Sequence, residues 1–261
     1  MRVKLLLPLG LLLVLYSCKE RIDVSLAENA NKLVIEGEVH DGPGPYFVKL
    51  SRSVNFNNTS NLVPHSPNWV LISDNEGNRD SLIKHADGLY KTTTLQGKVG
   101  NTYYLTVNDP SGVYRAESKL NPSPKIDSFY YFFFLTQDNI NPTIVINDPI
   151  NEENFYRYFS RKNGKTAEFQ YVVEDRLING SRWRFSTFRE DFKKGDSGEF
   201  VFLGIDKANF NYWKILVQNQ AVVSGGNESA APTNPPTNIY GGEVLGYFSA
   251  HSRQTLKFKV P

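Results

Sequence analysis

From Lys32 to Ser118 the chain alternates apolar and polar residues in short runs, and that two-residue period dictates strands with one buried and one wet face. In Lys32–His40, Leu33, Ile35 and Val39 fall on one side, while Glu36, Glu38 and His40 fall on the other. The same period recurs in Tyr46–Leu50 and Tyr103–Val107. Between the runs stand Asp41-Gly-Pro-Gly-Pro45, Asp74-Asn-Glu-Gly77, Asp87-Gly88 and Asn108-Asp-Pro-Ser-Gly112, which supply the positive or fixed φ values of tight turns. Helical periodicity is absent here. About seven short strands, punctuated roughly every eight to twelve residues, predict an all-β fold that opens with an immunoglobulin-like β-sandwich over 32–120.

Leu120-Asn-Pro-Ser-Pro124 breaks the period and carries two prolines, so a domain boundary is expected there. The remainder, 125–261, reads as a second β-rich, sandwich-like domain with strands near 128–135, 143–147, 155–160, 167–173, 182–188, 199–205 and 255–260. Phe129-Tyr-Tyr-Phe-Phe-Phe-Leu135 is apolar on both faces, which predicts a central strand covered on each side. One short helix is expected near 207–221: Asp206 can cap it, and Phe210, Trp213 and Val217 share a face. Residues 224–239, rich in Gly and Pro, read as an extended loop.

The amino terminus carries an address. Arg2 and Lys4 precede an apolar stretch from Leu5 to Tyr16, the layout of an export signal over residues 1–17. The stretch falls short of the roughly 20 residues that span a bilayer. Leu15-Tyr16-Ser17-Cys18 resembles a lipobox, and Cys18 is the one cysteine of the chain, so disulfides and thiolate metal sites are excluded. Cys18 is the expected lipidation residue, with 18–31 as a tether; each buried lipid methylene contributes about 0.8 kcal/mol, enough for a stable anchor from several acyl chains. Removing Arg2 and Lys4 with the leader leaves 27 basic against 27 acidic residues, interspersed, which argues against a nucleic-acid partner.

Chemical signatures are sparse. Gly-x-Ser-x-Gly, His-Glu-x-x-His and phosphate-cradling glycine loops are all missing. His40, His65, His85 and His251 form no local ligand pair and read as exposed or hydrogen-bonded surface residues. Asp74, Glu76, Asn78 and Asp80 offer oxygens at alternate positions, a weak calcium candidate equally explained as a polar hairpin tip. Glu152-Glu153, Glu174-Asp175 and Glu190-Asp191 look like solvated faces. Asp80-Ser81-Leu82 resembles a short acceptor for O-linked glycans. No catalytic residue and no cofactor is expected.

Several blocks carry a family resemblance: the lipobox cysteine, Leu33-Val-Ile-Glu-Gly-Glu38, Val48-Lys-Leu-Ser-Arg-Ser53, Asp87-Gly-Leu-Tyr90, Gly97-Lys-Val-Gly-Asn-Thr-Tyr-Tyr-Leu105 and Ile126-Asp127. The most specific are Pro235-Pro-Thr-Asn-Ile-Tyr-Gly-Gly242 and Leu245-Gly-Tyr-Phe-Ser-Ala250. Over nearly its full length the chain resembles a family of uncharacterised Bacteroidota lipoproteins, domain of unknown function 4249. That resemblance implies an outer-membrane lipoprotein, on the periplasmic or the cell-surface side, encoded beside TonB-dependent receptors and partnered with an outer-membrane β-barrel protein; it supplies no catalytic residues. Asn238, Gly241, Gly242 and Gly246 read as turn architecture. The functional alternative makes this block a ligand loop with Tyr240, Tyr247 and Phe248 as binding rings. The leading expectation is therefore a non-catalytic accessory lipoprotein with aromatic anchors drawn from Trp69, Trp183 and Trp213. A glycan-binding surface module is the alternative, and a deep cleft lined by perturbed carboxylates or histidines would revive an enzyme.

Overall fold

The computed structural model describes residues 31–54, 62–133, 140–167, 169–190, 192–223 and 233–261. Cys18 and the expected leader lie outside them, as do residues 224–232 of the expected loop. The fold is all-β with one α-helix among the described residues. Its elements run β1 (Leu33–His40), β2 (Phe47–Arg52), β3 (Val63–Pro64), β4 (Trp69–Asp74), β5 (Arg79–Ser81), β6 (Ile83–Ala86), β7 (Leu89–Lys91), β8 (Thr102–Asp109), β9 (Gly112–Lys119), β10 (Ile126–Phe133), β11 (Ile140–Asn147), β12 (Phe155–Lys162), β13 (Lys165–Thr166), β14 (Tyr171–Glu174), β15 (Arg182–Ser186), β16 (Ser197–Ile205), α1 (Lys207–Val223), β17 (Ile239–Tyr240) and β18 (Val244–Lys259).

A long mixed sheet runs β13-β12-β16-β18-β1-β2-β7-β6, with β14 added on β12 and β3 on β2. Two smaller sheets cover its ends, β17-β9-β8-β4-β5 at one and β10-β11-β15 at the other. The first core forms where Leu33, Ile35 and Val39 of β1 meet Val70, Ile72, Leu105 and Val107 of the five-stranded sheet. The burial of β1 alternates strictly along its length, as its apolar-polar period requires. The second core packs Tyr156, Tyr158, Phe200 and Phe202 against Ile144, Ile146 and Phe185. The opposite face of β12 and β16 carries Phe155, Phe159 and Leu203 against Phe210 of α1, so both strands are covered on two sides and lose their polar alternation.

The two sandwiches share one strand. The first half of β18 pairs parallel with β1, from Leu33↔Val244 to His40↔His251, and its second half pairs antiparallel with β16, from Gly204↔Ser252 to Ser197↔Lys259. Residues 239–251, expected within the second domain, therefore belong to the first: Ile239, Val244, Phe248 and Ala250 sit in its core. The expected boundary at 120–125 is crossed on the return because a carboxy-terminal strand with sixteen residues is long enough to serve both sheets.

A second correction concerns the aromatic run. β10 is an edge strand paired with β11 alone, and Phe132 and Phe133 are exposed. Its inward rings do pack, Phe129 stacking on Phe258 at 5.2 Å, but the outward face has no sheet over it among the described residues. The central, doubly buried strand is β11 instead.

Candidate functional site

On the face of the long sheet turned away from the first core, β1 presents Glu36, Glu38 and His40, while β18 adds Tyr247, His251 and Arg253. Parallel register puts His40 beside His251, with ring centroids 6.1 Å apart. α1 packs on the neighbouring part of this face through Phe210, Tyr212 and Trp213, and beside it lies a half-open groove of about 570 Å³. Its floor is Glu36, Glu38, His40 and Tyr247, and its walls are Pro45, Tyr46, Phe47, Lys49 and Arg253.

Beneath the groove lies an ionic network drawn from both sandwiches. Arg157 of β12 is 5% exposed; its guanidinium sits 3.3 Å from the centroid of the Trp213 ring, its Nε donates to Gln170 Oε1 at 2.7 Å, and its Nη1 is 3.8 Å from Glu38 Oε1. A charge in a strand buried on both sides needs such partners, because leaving it bare would cost several kcal/mol. The Tyr247 hydroxyl donates to Glu38 Oε1 at 2.9 Å, and Tyr212 packs on the Tyr247 ring at 4.9 Å.

These neighbours set the protonation states. Burial pushes the Glu38 carboxyl up, but the electrostatic pulls of His251 and Arg157, the Tyr247 hydroxyl and Arg253 outweigh it and hold the group below its usual range. Burial and the Glu38 charge push the Tyr247 phenol well above its ordinary value, so it stays protonated and donates. Burial drives His251 down to about 4 against the pull of Glu38, with Arg157 and His40 adding to the shift. His40 is lowered likewise, by burial first and then by Arg253. Its Nδ1 accepts the Gly42 N–H at 3.1 Å, so the neutral ring carries its proton on Nε2. His251 faces Ser249 Oγ at 3.1 Å; both side chains are about 1% exposed, which leaves this pair no access to a substrate.

The rim is tied down from the loop between β1 and β2. Tyr46 donates its hydroxyl to the Gly42 carbonyl at 2.8 Å and accepts the Gly97 N–H at 2.7 Å, while its own N–H donates to Thr92 Oγ1. The groove is thus bounded by backbone that has its hydrogen bonds satisfied.

The residues singled out in the sequence land elsewhere or in other roles. Tyr240 is 64% exposed on β17, Tyr247 is nearly buried at the groove floor, and Phe248 is wholly inside the first core, so the three rings form no stacking surface. The block around them is architecture. The Asn238 side chain donates to the Glu117 and Phe248 carbonyls and accepts the Phe248 N–H, stitching the loop to β9 and β18. Gly246, at φ +100°, brings its Cα so close to β1 that an added Cβ would lie 2.0 Å from the Ile35 carbonyl oxygen. Asp74 spends its oxygens on Glu76 N–H, Asn78 N–H and the Asn78 amide, and Asp80 spends its own on the N–H groups of Thr93, Thr94 and Leu95. The Asp74 and Asp80 oxygens are therefore taken up by N–H groups of the chain and Glu76 is paired with Lys98, and no group of three or more His, Cys, Asp or Glu among the described residues converges on one point. Ser81 is exposed. His251, read as a surface residue, is buried, and His65 is held by Asp109, itself paired with Arg52. Asp206 caps α1 as expected, accepting the Asn209 N–H at 2.8 Å. Trp69 and Trp183 are exposed, whereas Trp213 is the ring beneath Arg157.

Sequence reasoning missed Arg157 and Arg253. A lone arginine inside Phe155-Tyr-Arg-Tyr-Phe-Ser160 was the available signal, since a charge amid buried aromatics implies a buried partner.

Two β-sandwiches that share a strand, with an ionic network at their junction and an open groove above it, define an all-β protein built to present a fixed polar site. The chain belongs to the family described as domain of unknown function (DUF4249), whose model matches residues 19–257. No curated protein matches it. Among solved structures, a chain of a cytokine receptor complex, crystal form 1A, is similar at 9% identity over 87% of this chain and 95% of that one, with a TM-score of 0.26, too remote to bear on fold or function. No helix of the described residues is long and apolar enough to cross a membrane.

Proposed function

We propose that this protein is a non-catalytic binding lipoprotein of the bacterial outer membrane, tethered through lipid on Cys18, that receives a small polar ligand in the groove over β1 and β18. The observation that carries this reading is that the carboxylates of the groove floor already have partners: Glu36 is paired with Lys49 at 3.2 Å, and Glu38 is held by Tyr247 and Arg157. Groups locked in this way present a fixed pattern of donors and acceptors, which selective binding requires. General acid–base work calls instead for a free basic group within reach of substrate; the buried His251 is out of reach, and His40 in the floor holds its Nδ1 lone pair on the Gly42 N–H. Isothermal titration of the full-length, detergent-solubilised protein with a panel of sugars, amino acids and short peptides tests this. Saturable binding that Phe47→Ala weakens is expected; silence across the panel would defeat the reading. In cells, Cys18→Ser should release the protein from the membrane fraction.

A second reading, an accessory of an outer-membrane β-barrel such as a TonB-dependent receptor, is favoured by one surface. Phe132, Phe133 and Phe188 are 40%, 52% and 52% exposed at one end of the β10-β11-β15 sheet, with Phe132 and Phe188 in ring contact. Exposed rings beside an edge strand are costly in isolation and are the anchors that protein interfaces use. Copurification of a barrel protein, lost on Phe133→Asp, would support it; recovery of the lipoprotein alone would count against it.

A further inference from the structure

Taking the groove to be a ligand site, as proposed above, we infer that its ligand is a sugar acid: a small pyranose carrying a carboxylate, anchored by Arg253. The inference starts from unused donors. Glu36 is paired with Lys49 and Glu38 with Arg157, and Asp41 at the rim spends one oxygen on the Arg253 backbone N–H at 2.8 Å. The Arg253 guanidinium itself makes no hydrogen bond or ion pair with any described residue, although it stands in the groove wall. A partly buried guanidinium with its donors unused is matched in geometry by a carboxylate, which it can hold through two parallel hydrogen bonds.

Three further features narrow the class. The neutral His40 ring holds its Nδ1 on Gly42 and so has Nε2–H as a second donor at the same end of the groove. Glu36 and Glu38 are acceptors whose charges are already balanced, so they suit hydroxyl donors rather than a second full cation. Phe47, 39% exposed and backed by His85 with ring centroids 5.6 Å apart, is a flat apolar wall of the kind that packs against the C–H face of a sugar ring. The volume, about 570 Å³, lies within the span of roughly 300–1,000 Å³ that small-ligand sites occupy.

The test is calorimetric titration of the full-length, detergent-solubilised protein with sodium glucuronate, glucose and sodium acetate. Glucuronate should bind about tenfold or more tightly than either of the others, since a charge-assisted hydrogen bond contributes on the order of that factor. Arg253→Gln should lower glucuronate affinity about tenfold, to the level of glucose, in a protein whose melting temperature shows that it is folded. Glucose binding as tightly as glucuronate, acetate matching it, or an intact glucuronate affinity in Arg253→Gln would each overturn the sugar-acid inference and leave a binding groove standing. Binding of amino acids or peptides with none of the three probes would do the same. If every compound fails, the binding reading falls with it.

Discussion

His251 makes the fold sensitive to mild acid. Its imidazole is 1% exposed and its pKa is held at about 4, against an ordinary value of 6.5. The native state therefore keeps this residue neutral through a range in which the unfolded chain takes up a proton, and stability falls as pH falls. The full difference corresponds to about 3 kcal/mol, of which roughly 2 kcal/mol should be lost between pH 7 and pH 5. For a chain of this size that loss lowers the melting temperature by roughly 4–8 °C. Glu38, whose folded pKa is depressed below 4.5, contributes stability that is complete above that value and is lost at lower pH, so keeping to pH 5 and above separates the two groups. His40 is shifted in the same direction as His251 and adds a share of its own in the same window.

Thermal unfolding followed by circular dichroism at pH 7, 6 and 5 checks this, with His251→Gln as the comparison. The wild-type midpoint should drop across the series and the variant should drop by markedly less. Nuclear magnetic resonance titration of the wild-type imidazoles provides a readout that does not depend on the variant folding: one ring should remain neutral at pH 5. Protonation of all four rings by pH 5, or equal pH slopes in the two proteins, would refute the buried neutral histidine.

Three further substitutions probe the first sandwich. Asp80 is 4% exposed and accepts the N–H groups of Thr93, Thr94 and Leu95 at 2.8, 2.7 and 2.8 Å, so Asp80→Ala strands three donors and should cost about 3 kcal/mol or more in urea unfolding. A loss below about 1 kcal/mol would mean the loop finds other partners. Gly246→Ala, with its Cβ driven to 2.0 Å from the Ile35 carbonyl oxygen, should cost about 4 kcal/mol or more and show as lost soluble yield. Gly77→Ala, at φ +91° with nothing within 4 Å, should cost only about 1–2 kcal/mol, and equal penalties at the two sites would rule out the close approach of β18 to β1 as the cause.

The sequence pattern told which way side chains point and not what lies over them. The alternation in Leu33–His40 placed Leu33, Ile35 and Val39 in a core, and they are there. It placed Glu36, Glu38 and His40 opposite, where their polarity read as solvent; the structure half-buries them under partners from β18 and β12. Those partners arrive through a parallel pairing between the first strand and the last, a contact with no local signature because its register is set by the whole fold between them. The aromatic run of β10 misled for the complementary reason: apolar residues on both faces are required of a covered strand but do not themselves supply a cover.

What the residues did record, once the partners are known, is a constraint between the two sandwiches. Glu38 belongs to the first and Arg157 to the second, and the buried Arg157 charge is tolerable at its depth only with Glu38 and its aromatic neighbours beside it. β18 crosses between them and places Tyr247 against Glu38 on one side of the crossing and Arg253 in the groove wall on the other. The groove is thus a property of the junction: its floor comes from β1 and the half of β18 that pairs with β1, and the Arg253 guanidinium from the half that pairs with β16. A change that loosens either sandwich from the shared strand should therefore reach the groove even where it touches no residue that lines it.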